Sequence, residues 1–284
     1  MNKSSYFFDN WLFRQIILKT KLKSVYGSTL LRIDGSKFYD YYADVVKKGV
    51  ENTKWETSNK IVLENLEKHG IDLKDKVILE ISGGPGFLSK SMSKLARKVV
   101  LTEFSEKAVN AMKAELGIEA VKFDYNKDKI EECVSGKFDI VFVIYSIGFC
   151  NDLKRFVNSL RNIINERGIV YISYSPPTLG LMIRWQFDEY TYTRCWPVEV
   201  ISKCFSEAGF QQIVFEDEGS YRYDDDWYNN DKNFIAMLLL KIIRIIGKFY
   251  LFKSLILNKS IIKDLEQKNI LQIFQKSSSF ESIR

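Results

Sequence analysis

A doubly wound α/β fold with a mostly parallel sheet is what this sequence predicts, and three observations predict it. From residue 76 onward, strand-like and helix-like segments alternate. The strand-like segments are near-continuous apolar runs, such as "FDIVFVIYSI" at 138–147, so both of their faces are expected to be buried. The first strand runs into "SGGPGF", a glycine-rich turn before a helix, where an open parallel sheet places its ligands. Right-handed crossovers between such strands give the doubly wound form.

The elements follow in chain order. "WLFRQIILKTKLKSV" mixes apolar residues with Arg14, Lys19, Lys21 and Lys23 and reads as a short basic helix. "GSKFYDYYADVVKKG" is amphipathic and dense in tyrosine. "TSNKIVLENLEKHGI" has a Thr/Ser start, a 3.6-residue apolar period and a His-Gly stop, which makes a helix. "KVILEIS" is then a strand, "FLSKSMSKLA" a helix and "KVVLTEF" a strand. "SEKAVNAMKAEL" is a helix with Ser105 as its N-cap, because a serine oxygen there accepts an otherwise unpaired amide. "AVKFDY" and "FDIVFVIYSI" are strands. "DLKRFVNSLRNIINERG" is an amphipathic helix with a glycine stop, and "IVYISYS" is a strand. Residues 176–195 interrupt the alternation with aromatic and arginine-bearing sequence, before the helix "PVEVISKCFSEAGF" and the strand "QQIVFED". The apolar stretch "NFIAMLLLKIIRIIGKFYLFKSLILN" is broken by Lys241 and Arg244, which argues against a membrane span. The tail "QKSSSFESIR" is polar and expected to fray.

Composition bounds the function. The 284 residues are 46% hydrophobic and 27% charged, which is ordinary for a folded chain. A net charge of +6 is mild and lacks the basic stripe that nucleic-acid binding demands. Four scattered cysteines and a single histidine, His69, cannot assemble the usual zinc ligand set. They suit a reducing compartment, and with no clean signal peptide in view the expectation is cytoplasmic. Consecutive Asp224, Asp225 and Asp226 cannot all face one ion, so no metal is expected.

Three strand ends carry candidate ligand groups. Gly83, Gly84 and Gly86 let backbone amides approach a ligand closely, although such a turn also serves as a plain connection. Glu103 ends the second strand, 23 residues after Glu80, where an acid accepts from ribose hydroxyls. Asp124 and Tyr125 end the third, offering a carboxylate to an adenine amine and a ring to the base. Together they describe an adenosine site.

The run "VILEISGGPGFLS…VVLTEFSEKAV…VKFDYNKD…FDIVFVIYSIGF…LRNIINERGIVYIS" resembles the class I S-adenosylmethionine-dependent methyltransferases over about residues 57–215. The resemblance implies a seven-stranded Rossmann-like methyltransferase sheet with S-adenosylmethionine as cofactor and S-adenosylhomocysteine as product. Its usual acid-x-Gly-x-Gly-x-Gly turn is kept at Glu80, Gly84 and Gly86, but Ser82 replaces the first glycine. By position, Glu80 and the Ser82–Gly86 turn would hold the methionine end and Glu103 the ribose. Asp124 would meet the adenine amine, with Phe104 and Tyr125 against the base, and Ile144, Tyr145 and Ser146 would border the methyl group. A nicotinamide oxidoreductase is the rival fold-level reading, but "SGGPGF" lacks the G-x-G-x-x-G spacing. A protein that binds the cofactor without turnover is another, with Ser82 as its sign.

The acceptor is expected to be a small molecule, methylated on O or N, such as an acidic or phosphorylated sugar or amine. No nucleic acid is expected, since "YSPP" at 174–177 follows the fifth strand and lacks an aromatic at Thr178. The catalyst is unknown. His69 lies at a helix end on the far side from the glycine turn, so Tyr42 and Tyr145 are the candidates. Tyr39, Tyr41 and Tyr42 either close over the acceptor as a lid or pack an amphipathic helix. Arg184, Trp185, Tyr190, Tyr192 and Arg194 either form an anion-binding wall or a solvated surface. The expected organisation is a helical lid over 1–56, the methyltransferase domain over 57–241 with a cap insertion near 176–196, and a helical extension with tail over 242–284. In that domain "NFIAMLLLK" is expected as the last, antiparallel strand. The extension's basic helix would lie on an anionic membrane, pack within the chain or pair two subunits.

Overall fold

The computed structural model describes residues 39–49, 54–176, 196–219 and 269–277. The first segment opens with a 3₁₀ turn at Tyr39–Tyr41 and continues as helix α1, Tyr42–Lys48. Then come α2 (Lys54–Lys68), β1 (Val77–Ile81), α3 (Phe87–Met92) and β2 (Lys98–Glu103). Helix α4 (Glu106–Ala111) runs on as a π turn at Met112–Leu116 into β3 (Glu119–Lys122). The remaining elements are α5 (Ile130–Cys133), β4 (Phe138–Ile144), α6 (Leu153–Ile163), β5 (Ile164–Tyr174), α7 (Val198–Glu207), β6 (Phe210–Gly219) and β7 (Asn269–Lys276).

The sheet has seven strands in the order β3-β2-β1-β4-β5-β7-β6. Strands β1 to β5 pair in parallel, and β7 is antiparallel to both β5 and β6. The order reverses between β1 and β4, so the doubly wound expectation holds and the crevice falls beside the glycine turn. Alternate residues of each strand feed opposite layers. Leu79, Ile81, Val141 and Val143 pack with α6 and α7 through Phe156, Val157 and Phe205. Ile78, Ile140 and Phe142 pack with α2 and α3 through Val62, Leu66, Leu88 and Met92. A third cluster joins α1 to α4, with Val46 against Leu101, Ala108, Val109 and Met112.

Local signals act as expected at several ends. Ser105 accepts the Ala108 amide at 3.1 Å and caps α4, and Asp152 accepts the Arg155 amide at 3.0 Å to cap α6. Asp139, a charge within an apolar strand, is satisfied by the Val77 amide at 2.8 Å and the Asn165 side chain at 2.7 Å.

Two expectations need correction. The helix predicted to run to Gly168 stops at Ile163, and β5 begins at once. Pairing jumps from Phe138–Ile164 to Ile140–Ile169, so residues between form a bulge with Arg167 at φ +62°. A Cβ at Gly168 would come within 3.0 Å of the Asn165 carbonyl, so this glycine serves the bulge rather than a helix end. The second correction concerns the last strand. Residues 233–241 lie outside the described residues, and β7 is supplied instead by "NILQIFQK", which the sequence reading left in the extension and tail. Its polar residues are buried but paired. Gln272 donates to Ser202 at 2.7 Å and accepts from Tyr174 at 2.9 Å, and Lys276 donates to the Ile164 carbonyl at 3.0 Å.

Candidate functional site

The site starts where β1 stops. After Ile81 the chain turns sharply, with Ser82 at φ +54°, Gly84 at +59° and Gly86 at +76°. Thr102 of β2 anchors the turn, its hydroxyl accepting the Ser82 amide and its carbonyl the Gly83 amide, each at 3.2 Å. Gly83 has no room for a side chain, since a Cβ there would overlap Leu101 and lie 2.6 Å from Glu80 Cδ. Ser82 holds a left-handed backbone without being glycine, at a cost of about 1–2 kcal/mol.

Two carboxylates sit on adjoining strands beside this turn. Glu80 is buried and accepts the Ser89 hydroxyl at 2.5 Å. Burial pushes its carboxyl up to about 7, against the pull of Ser89. Glu103 is equally buried, and its Oε1 accepts the Phe104 amide at 2.8 Å and the Ser105 amide at 3.4 Å. Its Oε2 accepts the Gly84 amide at 3.1 Å. Burial again dominates and lifts this group to about 7 despite three amide donors. Among the described residues no lysine or arginine pairs with either acid. Two buried acids around an amide cradle favour a cationic ligand whose charge they would stabilise.

The third strand end divides. Asp124 accepts the Asn126 amide at 2.9 Å and pairs with Lys127 at 3.4 Å in the turn after β3, its side chain half-buried. Tyr125 does not present its ring to the crevice. The ring packs edge-on against Phe123 and Phe156, at 5.2 and 4.9 Å, and only 4% of the residue is exposed. Its hydroxyl meets Ser146 Oγ at 2.9 Å, and Ser146 donates to the Ile81 carbonyl at 3.2 Å. Phe104 remains half-buried beside the crevice.

The N-terminal tyrosines cover the turn. A Cβ on Gly84 would lie 3.4 Å from the Tyr42 ring, and Tyr42 in turn meets Trp55 at 6.3 Å. Burial, then Tyr41 and Glu103, hold the Tyr42 phenol well above its ordinary range. Tyr39 is buried, stacked on Tyr42 at 5.6 Å and edge-on to Phe104 and Phe149 at 6.4 and 5.9 Å. Tyr41 is the outward one, 42% exposed. Ser105 fixes this segment by donating to Asp40 at 2.6 Å.

At the neighbouring end of β4, Ile144 is half-buried and Tyr145 sits at φ +50°, its amide donating to the Ser173 carbonyl at 2.8 Å. Asn269 of β7 donates to the Tyr145 hydroxyl at 3.3 Å and accepts from Ser175 at 2.6 Å. Asn269, Ser89 and Thr102 are site residues that sequence reasoning missed. Only Ser89 left a trace, as a serine one helical turn into the helix that faces Glu80. Arg184, Trp185, Tyr190, Tyr192 and Arg194 lie outside the described residues, as does the predicted C-terminal basic helix. His69 lies at the β6 edge of the sheet, 2.9 Å from Glu216. Among the described residues no group of acids, histidines and cysteines gathers as metal ligands, and no helix is long and apolar enough to cross a membrane.

Comparison with known proteins fits this geometry. A family model described as "Methyltransferase domain" matches residues 55–214, more than half of the chain. No curated protein matches the sequence. Among solved structures, a Bacillus halodurans protein provisionally assigned as a methyltransferase superposes with a TM-score of 0.59 at 15% identity, over 76% of this chain and 99% of its own. A Galdieria sulphuraria protein provisionally assigned as a sarcosine dimethylglycine methyltransferase gives 0.59 at 11% identity, over 87% and 100%. Magnesium protoporphyrin IX methyltransferase of Synechocystis, solved with S-adenosylhomocysteine bound, gives 0.53 at 14% identity, over 86% and 100%.

Proposed function

The chain belongs to the methyltransferase-domain family, of the class I S-adenosylmethionine-dependent type, and we propose that it transfers a methyl group to an O or N atom of a small-molecule acceptor. One observation carries this reading: buried Glu80 and Glu103 flank an amide cradle in which Gly83 leaves no space for a side chain. S-adenosylmethionine supplies a methyl group on a sulfonium, a cation suited to that pair of acids.

The residues divide the work. The Ser82–Gly86 turn and Glu80 hold the methionine end, Glu103 the ribose, Asp124 the adenine amine and Phe104 one face of the base. Ile144 borders the reacting carbon. Tyr39 and Tyr42 keep water from the turn they cover, and with Tyr41 and Tyr145 they form the wall that meets the acceptor. Transfer is an in-line displacement: an electron pair on the acceptor forms the new bond to carbon as the carbon–sulfur pair withdraws to sulfur. Alignment and dryness are therefore the chain's chief contributions. An amine acceptor needs only to bind neutral. A hydroxyl acceptor needs a base; of the two candidates, burial holds the Tyr42 phenol protonated, which leaves Tyr145. The covering segment and the mild net charge support a small acceptor over nucleic acid.

The test is release of S-adenosylhomocysteine from labelled S-adenosylmethionine across a panel of free and phosphorylated amines and sugars. Turnover with at least one small acceptor supports the reading. Tight cofactor binding with no turnover on any acceptor class would favour a non-catalytic binder.

A further inference from the structure

The tips of β4, β5 and β7 meet around one side chain, Tyr145, and three hydrogen bonds fix it. Its neighbour Ser146 donates to the Ile81 carbonyl at 3.2 Å, which ties it to the strand end that opens the glycine turn. Its own amide donates to the Ser173 carbonyl of β5 at 2.8 Å. Its hydroxyl accepts from Nδ2 of Asn269, the first residue of β7, at 3.3 Å. β4 and β7 stand two places apart in the sheet with β5 between them, a separation of about 9.5 Å at ordinary strand spacing. The Tyr145 ring therefore reaches across the tip of β5. Its backbone holds φ +50°, a left-handed value that a non-glycine residue keeps only where its surroundings over-determine it. Asn269 is itself only 2% exposed, and a buried amide has to be satisfied. Ser175, buried just beyond the end of β5, donates to Asn269 Oδ1 at 2.6 Å and so turns Nδ2 toward Tyr145.

We infer that Asn269 is a positioning residue for methyl transfer: oriented by Ser175, it holds the Tyr145 phenol across the tip of β5, on the acceptor side of the reacting carbon. A tyrosine on the turn after a strand can otherwise swing about its two side-chain bonds, and a misplacement of about 1 Å costs on the order of a hundredfold in rate. A buried donor on the phenol oxygen removes that freedom. Asn269 lies outside residues 55–214, the span of the methyltransferase domain, so the chain's own last strand completes the acceptor end. The inference rests on the proposed methyl transfer and names the residue that readies its acceptor side.

The test uses the full chain with Asn269→Leu, Tyr145→Phe, the double variant and Ser175→Ala. Turnover is read as S-adenosylhomocysteine release with whichever member of the panel of free and phosphorylated amines and sugars the wild type methylates fastest. Cofactor-site affinity is read by calorimetric titration with S-adenosylhomocysteine. Asn269→Leu is expected to lower kcat about tenfold, while KM for S-adenosylmethionine and the calorimetric affinity stay within about twofold. Ser175→Ala keeps both Asn269 and Tyr145, and it carries the comparison where Asn269→Leu fails to fold; it lowers kcat about threefold. Because Asn269 acts through Tyr145, the double variant stays within about twofold of Tyr145→Phe alone. Unchanged kcat in Asn269→Leu or, in its place, Ser175→Ala overturns the inference, as does a double variant in which the two losses multiply. A fall in calorimetric affinity that matches the fall in kcat would assign Asn269 to the fold at large and overturn it too. If the wild type methylates no acceptor, the proposed function itself fails and the inference with it.

Discussion

The Gly84 amide donates to Glu103 Oε2 at 3.1 Å, so the acid that ends β2 is bonded to the turn that ends β1. One oxygen of Glu103 braces the turn and the other braces its own strand end through Phe104 and Ser105. The acid thus builds the cradle as well as facing the ligand. Glu103→Gln keeps the shape but turns one acceptor into a donor that points at amides. Calorimetry should show cofactor affinity at least tenfold weaker, with a loss of about 1–3 kcal/mol in stability from the unpaired amides.

The two raised carboxyls give pH a predictable sign. Both rise from the ordinary 4.5 to about 7 in the folded chain. Between those values the ligand-free folded state binds more protons than the unfolded state, so its stability falls as pH rises from 4.5 and levels off above 7. A sulfonium cation prefers the ionised acids, so its affinity moves the other way. S-adenosylmethionine should bind about tenfold or more tightly at pH 8 than at pH 6, while the ligand-free protein melts higher at pH 6. A flat binding profile would show that neither acid faces the cofactor.

Gly83 is the position where space decides. The Cβ added by Gly83→Ala overlaps Leu101 and lies 2.9 Å from Glu80 Oε1. Overpacking of this kind costs about 1–3 kcal/mol, and a melting temperature lower by several degrees is expected. Cofactor binding should fall by more than about tenfold, because the amides that follow cannot keep their places.

Asp40 holds the covering segment. Its described side-chain bond is the 2.6 Å contact from Ser105, and the segment otherwise rests on α4 through Val46 and on Trp55, Phe104 and Phe149 through Tyr42 and Tyr39. Asp40→Ala should speed hydrogen exchange of the α1 amides about tenfold while leaving β4 protected, as loss of one hydrogen bond implies. Unchanged α1 exchange would mean that the apolar contact alone fixes the segment.

How much of this was visible in the sequence varies by element. Strands β1, β2 and β4 were legible because burial on both faces leaves an apolar run, and Glu80 and Glu103 were legible because they stand at the ends of two of those runs. β7 was not, since its buried Gln272 and Lys276 read as surface residues until β5 and β6 supply their partners. The Gly168 stop misled for a similar reason, as a tight bulge and a helix end ask the same residue for different things. Tyr125 showed its place but not its direction, which Phe156 sets from a helix 31 positions on. Pairings between distant residues leave no local pattern.

His69, at the β6 edge of the sheet, tests whether the site is confined to the tips of β1, β2 and β4. It meets Glu216 at 2.9 Å, with Lys68 on the same acid at 2.5 Å. Burial raises the Glu216 carboxyl, but Lys68 and His69 outweigh that and hold it below its ordinary value. His69→Ala should cost less than about 1 kcal/mol in stability and leave cofactor affinity unchanged.

A crystal structure of the protein with S-adenosylhomocysteine measures the central claim most directly. The account predicts the ribose hydroxyls on the Glu103 carboxylate and the homocysteine end against the Gly83 and Gly84 amides. Density for the nucleoside elsewhere, or a Glu103 carboxylate that touches only backbone in the complex, would contradict it.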